Sequence, residues 1–246
     1  MAYDDNAFCW HGIVSLDPAR ATAFYPEVLG WSTVAMDMGG DKVPTFLTGE
    51  VGRAHVATAQ PGDAPRWNQY LRVDDVDART EAAVANGGTL MVAPTDIPPG
   101  RFSVVTSPSG APLHLFHEAD EASSRNGPSG PGSILWVELW SSKIDADLAW
   151  LSATFGFETK VMPMPTGPYH ILEHGGAQRG GAMPTDDAPP HWLAWVEVTD
   201  VDATAARAVA LGGTTLSEPF DVPTVGRMAV IADPDGARFG IMNPAA

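Results

Sequence analysis

The sequence places one carboxylate, Glu138, two residues from each of two tryptophans, Trp136 and Trp140. If this run is a β-strand, the three side chains share one face, because strand side chains alternate between faces. A carboxyl group between two indole rings loses hydration, so it must pair with a partner or hold its proton more tightly. The chemistry that this combination offers is proton transfer beside a flat apolar surface.

Other familiar chemistries have no support in the sequence. Cys9 is the one cysteine, so the chain can form neither an internal disulfide nor a cysteine-based zinc framework. We find no Gly-x-Gly-x-x-Gly fingerprint after a strand, which argues against a flavin or nicotinamide site. Oxygenation chemistry would therefore need a metal, a flavin from elsewhere or an oxygen-reactive substrate.

Charge and hydropathy limit the partners and the compartment. Thirty acidic residues stand against fourteen basic ones, and the resulting formal charge of -16 would repel nucleic acid and anionic membranes. The sequence has no apolar run of about 18 residues and begins without the basic and apolar pattern of a secretion signal. We expect a cytoplasmic protein with a small-molecule ligand, no nucleic-acid or membrane partner, and a monomeric or homodimeric state.

The chain contains two copies of one plan. The segment 67–89 lies over 192–214 at an offset of 125 residues (192 − 67), with Trp, Val-x-Asp-Val-Asp-Ala and Gly-Gly-Thr in common. Segment 107–116 lies over 233–242 at an offset of 126. A duplication explains both matches. We predict domains at 1–120 and 133–246, joined by the Gly-, Pro- and Ser-rich linker 121–132.

Each copy shows the pattern strand, helix and several strands, run twice. Asp17 and Pro18 predict the start of the first helix, and Gly30 predicts its end. Pro26 inside that helix should kink or shorten it. The second helix should be capped by Asp75 or by Asp77.

These segments resemble the vicinal oxygen chelate superfamily of glyoxalases, bleomycin-resistance proteins and extradiol dioxygenases. The resemblance is carried by residues 17–31, by the turns at 86–89 and 211–214, and by Asp-Pro-Asp-Gly-Ala at 233–237. It implies an α+β fold of four βαβββ modules, paired into two similar domains whose curved mixed sheets enclose cavities. The phrases Cys-Trp-His-Gly-Ile and Leu-Trp-Val-Glu-Leu further resemble a two-domain bacterial branch labelled glyoxalase-like or hydroxylase.

The resemblance also implies where a metal would bind. Metal-dependent members of this superfamily take His, Glu or Gln ligands from the first and last strands of paired modules. The corresponding positions here hold Trp10, Asn68, His114 and, by a looser assignment, His55 in the first copy, and Trp136, Leu193 and Gly240 in the second. Because a borderline metal needs about three strong donors, we predict no metal and no other cofactor. The alternative is a divalent metal held by His55 and His114 in the first domain.

The same positions imply which side chains face the cavities, since alternation then fixes their neighbours. The implied inward set is Trp10, Gly12, Val14, Asn68, Tyr70, Arg72, Pro112, His114 and Phe116 in the first copy, and Trp136, Glu138, Trp140, Leu193, Trp195, Glu197, Arg238, Gly240 and Met242 in the second. We predict catalytic roles for Glu138, His114 and Tyr70. Substrate-binding roles are predicted for Trp10, Asn68, Arg72, Trp136, Trp140, Trp195 and Arg238.

Structural roles are the alternatives for these residues. Glu138 could form a buried ion pair with Arg238. His114 could be a core histidine that is hydrogen-bonded to Tyr70 or to a backbone carbonyl. The tryptophans could simply fill the space of a lost metal site.

Three functions are compatible with the sequence. The leading hypothesis is a metal-independent enzyme of the lyase, isomerase, cyclase or hydroxylase type. It would act on a planar aromatic or polyketide-like metabolite by acid–base chemistry, in the tailoring of a natural product. The alternatives are a ligand-sequestering protein of the bleomycin-resistance kind and a metal-dependent glyoxalase or dioxygenase that uses the first domain.

Overall fold

A computed structural model describes residues 5–119, 129–164, 167–186 and 188–245. In the first copy the elements are β1 (Phe8–Ser15), α1 (Pro18–Leu29), β2 (Ser32–Asp37), β3 (Lys42–Thr48), β4 (Val51–Thr58), β5 (Arg66–Arg72), α2 (Val76–Ala85), β6 (Thr89–Ile97), β7 (Gly100–Thr106) and β8 (Pro112–Glu118). In the second copy they are β9 (Ile134–Ser141), α3 (Ile144–Phe155), β10 (Glu158–Met164), β11 (Gly167–His174), β12 (Ala177–Pro184), β13 (His191–Glu197), α4 (Val201–Ala210), β14 (Thr214–Val222), β15 (Gly226–Ala232) and β16 (Arg238–Pro244).

The strands form two eight-stranded mixed sheets with the same order. The first sheet runs β2-β3-β4-β1-β5-β8-β7-β6 and the second runs β10-β11-β12-β9-β13-β16-β15-β14. The first strand of each module pairs in parallel with the last strand of the same module, and the other strands pair with their sequence neighbours in antiparallel. This confirms the predicted α+β fold of four βαβββ modules in two similar halves.

The helix ends follow the local sequence signals. Asp17 accepts hydrogen bonds from the backbone N–H groups of Ala19 and Arg20, and Gly30 ends α1 in the left-handed conformation at φ 69°. Pro26 lies inside α1 without ending it. Asp75, and not Asp77, caps α2.

The chain divides into two compact units that each take segments from both copies. Unit one comprises Met1–Trp10, Asn68–Ser124 and Trp136–Trp192, and unit two comprises His11–Trp67, Arg125–Leu135 and Leu193–Ala246. Residues 121–128 of the predicted linker lie outside the described residues. The predicted boundaries at 120 and 133 stay a prediction.

Each unit buries one face of its strands beneath helices. In unit two, Ile13, Trp67, Val196 and Phe239 belong to one hydrophobic core with residues of α1 and α4. In unit one, α2 packs on β7 and β8 and α3 packs on β12, and the fully buried strand residues are Leu71, Leu113, Leu115, Leu139 and Leu172. Because strand side chains alternate, the neighbours of these residues lie on the opposite face, which we call the inner face.

No helix among the described residues is long and apolar enough to cross a lipid bilayer.

Candidate functional site

A chain of hydrogen bonds lies on the inner face of unit one. The Trp136 indole N–H donates to the Tyr169 hydroxyl at 2.6 Å, and the Tyr169 hydroxyl is hydrogen-bonded to the Glu138 carboxyl. Strand β9 supplies Trp136 and Glu138, and strand β11 supplies Tyr169. The three groups form one connected polar path in otherwise apolar surroundings, which strengthens each bond in it.

Gly181 makes this connection sterically feasible. It lies on β12, the strand between β9 and β11, and it is the Cα partner of Glu138. A Cβ atom at this position would overlap the Tyr169 hydroxyl and would lie 3.0 Å from the Trp136 Nε1. The tyrosine therefore reaches across β12 to the glutamate only because residue 181 has no side chain.

The Glu138 carboxyl is buried and holds a proton near neutral pH. Its residue is 4% exposed, and burial raises its pKa from the ordinary 4.5 to about 8, although hydrogen bonding from Tyr169 and Trp140 opposes the shift. Burial, and next the adjacent Glu138, raise the pKa of Tyr169, so that its hydroxyl stays neutral. The site therefore offers a neutral carboxylic acid as a proton donor.

The direction of the hydrogen bonds follows from the donor and acceptor capacity of each group. An indole N–H can only donate, so the Tyr169 oxygen accepts from Trp136 and its own proton goes to Glu138. One carboxyl oxygen of Glu138 accepts that proton.

Trp140 is next to this acid. Its ring is half-buried and lies 5.5 Å from the His191 ring, between centroids, at an interplanar angle of 50°. Its Nε1–H is buried, and its hydrogen bonding to the Glu138 carboxyl lowers the pKa of that group.

The predicted catalytic residues of the first copy form a separate cluster, also in unit one. Tyr70 and His114 are Cα partners on β5 and β8, and their ring centroids lie 4.5 Å apart. Burial raises the pKa of Tyr70 above its ordinary value. The Cys9 thiol donates to the Tyr70 carbonyl oxygen at 3.6 Å. These two predicted site residues therefore lie together.

Arg72, predicted to bind substrate, is already paired. Its guanidinium donates to both carboxylate oxygens of Glu118, at 2.6 to 3.1 Å, and both side chains are about 5% exposed. Bidentate pairing of this kind holds both groups in one orientation. Asn68 is buried on the same strand, and Trp10 is half-buried on β1.

Trp195 and Arg238, the predicted binding residues of unit two, occupy different environments. Trp195 is 3% exposed, and its ring occupies the space that a side chain at Gly240 would need. Arg238 is half-buried at the first position of β16.

The residues at the family's ligand positions do not form a metal site. In unit two the His55 ring lies over Gly12, within 3.0 Å of where a Cβ would be, and Trp195 covers Gly240. His114 belongs to unit one and His55 to unit two. Within the described parts of the chain, no group of three or more His, Cys, Asp or Glu side chains could hold a metal ion. The donor set thus does not fit the metal that the fold family implies.

Two residues of the Glu138 site, Tyr169 and Gly181, were not recognised in the sequence. Tyr169 is on β11, a strand whose facing could not be assigned from the sequence, and the structure shows that the register of β11 and β12 shifts between Leu172 and Glu173. The signal that could have pointed to it is the Gly180-Gly181 pair, since glycine within a strand often marks a close approach.

Comparison with known proteins identifies the family that has this architecture. Residues 12–116 match the family described as glyoxalase-like domain, and residues 133–241 match the glyoxalase, bleomycin resistance protein and dioxygenase superfamily. CFP32 of Mycobacterium tuberculosis, which carries a glyoxylase name, is 37% identical over 96% of this chain and 94% of its own length. The chain therefore belongs to the glyoxalase, bleomycin resistance protein and dioxygenase superfamily.

Two further relatives bear on its function and fold. The anthracycline biosynthesis protein DnrV of Streptomyces peucetius is 33% identical over 97% of this chain and 93% of its own length. The Mn(II)-bound glyoxalase of Novosphingobium aromaticivorans has the same fold, with a TM-score of 0.71 and 18% identity over 97% of this chain and 82% of that protein.

Proposed function

We propose that this protein is a tailoring enzyme that acts on a planar aromatic or polyketide-like metabolite, with Glu138 as its general acid. The observation that carries the proposal is the Glu138 carboxyl at the end of the path Trp136–Tyr169–Glu138, where burial keeps it in its protonated form beside two tryptophans. A general acid works best when its pKa lies near the operating pH, and Glu138 meets that condition.

The substrate class is supported by the aromatic surface and by one relative. Trp136 and Trp140 are half-buried on either side of Glu138 along β9, which suits stacking against a flat ring system. The name of DnrV refers to anthracycline biosynthesis. An aromatic polyketide satisfies both observations. Proton transfer from Glu138 requires no metal, in keeping with the donor set at the ligand positions.

The test compares turnover by matched glutamate variants. Purified protein is incubated with a panel of aromatic polyketides that includes anthracyclines, and products are identified by mass spectrometry. Glu138→Gln should lower turnover by about 10²- to 10⁴-fold, because it removes the transferable proton, while the protein stays folded and ligand binding is kept. Glu158→Gln makes the same chemical change at an exposed position of β10 and should leave turnover unchanged.

Each contrary outcome assigns a different function. Full turnover by Glu138→Gln would refute the acid role. Tight binding of a panel member without conversion by the unaltered protein would instead support a sequestering protein. Turnover that depends on added Mn(II) and is lost in His114→Ala would support a metal-dependent enzyme.

A further inference from the structure

We infer that strand β2 is the interface of a homodimer, in which it pairs in antiparallel with β2 of a second copy about a two-fold axis at Ala35. Because β2 ends the first sheet, this pairing joins the first sheets of the two copies into one continuous sheet. The inference concerns a surface and does not depend on the role of Glu138.

The first observation is that β2 lacks the features that protect the other sheet edges. Within the described residues, the two sheets end in the strands β2, β6, β10 and β14. Three of these strands contain a proline, Pro94, Pro163 or Pro219, and the register of β6 and β14 with their neighbours is also irregular. Prolines and bulges keep a strand edge from pairing with another chain. Strand β2 has no proline, and its register with β3 is regular from Ser32 to Asp37.

The second observation is the direction of the backbone groups of β2. The Met38 N–H donates to the Asp41 carbonyl oxygen across the turn between β2 and β3, at 2.9 Å. Hydrogen-bonded and non-hydrogen-bonded positions alternate along an antiparallel pair, so every second residue back from Met38 bonds to β3. The residues between them direct their N–H and C=O groups to the outer edge of the sheet: Thr33, Ala35 and Asp37.

The third observation is that β2 is complementary to its own copy. An axis at Ala35 places the outward positions opposite one another, because Thr33 then pairs with Asp37 of the partner subunit. The Thr33 hydroxyl faces a carboxylate acceptor in this pairing, and Asp37 does not face a second carboxylate. On the other face, Val34 lies opposite Met36 of the partner subunit, and these apolar side chains are 41% and 37% exposed in the single chain. A second copy therefore suits this edge.

The charge of β2 is balanced locally, although the whole chain carries a formal charge of -16. Asp37 is the one charged residue of β2, and the Lys42 ammonium group on β3 donates to its carboxylate at 3.0 Å. The repulsion between two acidic copies is therefore not concentrated at this edge. Because one strand pair shares little surface, we expect a dimer that dissociates in the micromolar range.

The experiment measures the mass of the full chain by sedimentation velocity, over concentrations from about 1 to 200 μM. The unaltered protein should pass from the mass of one chain to that of two. Ala35→Pro removes the N–H at the axis and leaves the hydrogen bonds to β3, because that N–H points outward. This variant should stay folded by circular dichroism and remain a monomer. Ala35→Ser keeps the N–H and should keep the dimer.

Charge at position 33 tests the position of the axis. Thr33→Lys places an ammonium group opposite Asp37 of the partner subunit, twice in each dimer, and should lower the dissociation constant severalfold. Thr33→Glu places a second carboxylate there and should raise the dissociation constant by a similar factor. Thr159→Lys is the matched control, because it makes the same change at an exposed threonine of the edge strand β10. It should leave the dissociation constant unchanged.

Three results would overturn the inference. The first is the mass of one chain at every concentration. The second is an unchanged dissociation constant in folded Ala35→Pro, because the two copies would then meet at another surface. The third is the same shift for Thr33→Lys and Thr33→Glu, since an axis at Ala35 requires opposite shifts. If Ala35→Pro does not fold, the two Thr33 variants decide the question, because opposite shifts support the interface and equal shifts exclude it.

Discussion

Glu138 and Gly181 are Cα partners on the adjacent parallel strands β9 and β12. At the equivalent place in the first sheet, 126 residues earlier (138 − 12 and 181 − 55), the partners are Gly12 and His55. In the first copy the glycine is on the first strand of its module and the larger residue is on the last strand. In the second copy the two are reversed. In the first copy the glycine accommodates the His55 ring, and in the second it accommodates the Tyr169 hydroxyl.

The stability of the protein should depend on pH through Glu138. The folded state keeps the Glu138 proton up to a pKa of about 8, whereas the unfolded chain loses it near 4.5. Between these values the folded state binds more protons, so the free energy of unfolding contributed by this group falls as pH rises, by at most about 1.4 kcal/mol per pH unit. Glu138→Gln should lack this fall and should gain stability over the unaltered protein as pH rises. Urea unfolding at pH 5 and pH 8 tests this, and identical pH dependence of the two proteins would contradict it.

Replacement of Tyr169 should shift the ionisation of Glu138. The Tyr169 hydroxyl lowers the Glu138 pKa by hydrogen bonding, so Tyr169→Phe should raise that pKa further. The carboxyl stretching band of the protonated acid, followed by infrared difference spectroscopy during a pH titration, reports this. Tyr70→Phe is the control, because Tyr70 contacts His114 on the other sheet. A lower Glu138 pKa in Tyr169→Phe would show that the hydrogen bond has been assigned wrongly.

Gly181→Ala should destabilise the protein through Tyr169. The added methyl group overlaps the Tyr169 hydroxyl, and overpacking of this kind costs about 1–3 kcal/mol. Tyr169→Leu removes both the hydroxyl oxygen and the ring carbon Cζ that the added methyl group overlaps, so the double variant should be more stable than the sum of the two single effects predicts. The free energies of unfolding of the unaltered protein, the two single variants and the double variant form a double-mutant cycle. Additive effects would mean that the two residues do not meet.

The Arg72–Glu118 pair should behave as a buried structural ion pair. Arg72→Met leaves the Glu118 carboxylate buried without its partner, which costs about 3–5 kcal/mol. Arg72→Met combined with Glu118→Leu removes both charges and should recover most of that loss. The exposed pair Lys42–Asp37 provides the comparison, and its disruption should have little effect on the melting temperature. Loss of ligand binding by Arg72→Met without loss of stability would restore the substrate-binding role.

The sequence by itself determined the repeated architecture and the helix starts. Strand alternation, the cap at Asp17 and the match between segments 67–89 and 192–214 are local patterns, which can be recognised without knowledge of the fold. The cap of α2 was narrowed to Asp75 or Asp77, and the structure has Asp75. Alternation along one strand likewise placed Glu138 between Trp136 and Trp140 on one face, where the structure has them.

Only the tertiary structure decided which groups meet. The Glu138 carboxyl group lies against Tyr169, which comes from β11 across a glycine on β12. Arg72 likewise has Glu118 as its partner, 46 residues away. These contacts depend on strand order and on a register shift between β11 and β12. Periodicity along a single strand shows neither the strand order nor the register with the neighbouring strand. A shift of one residue reverses which side chains share a face.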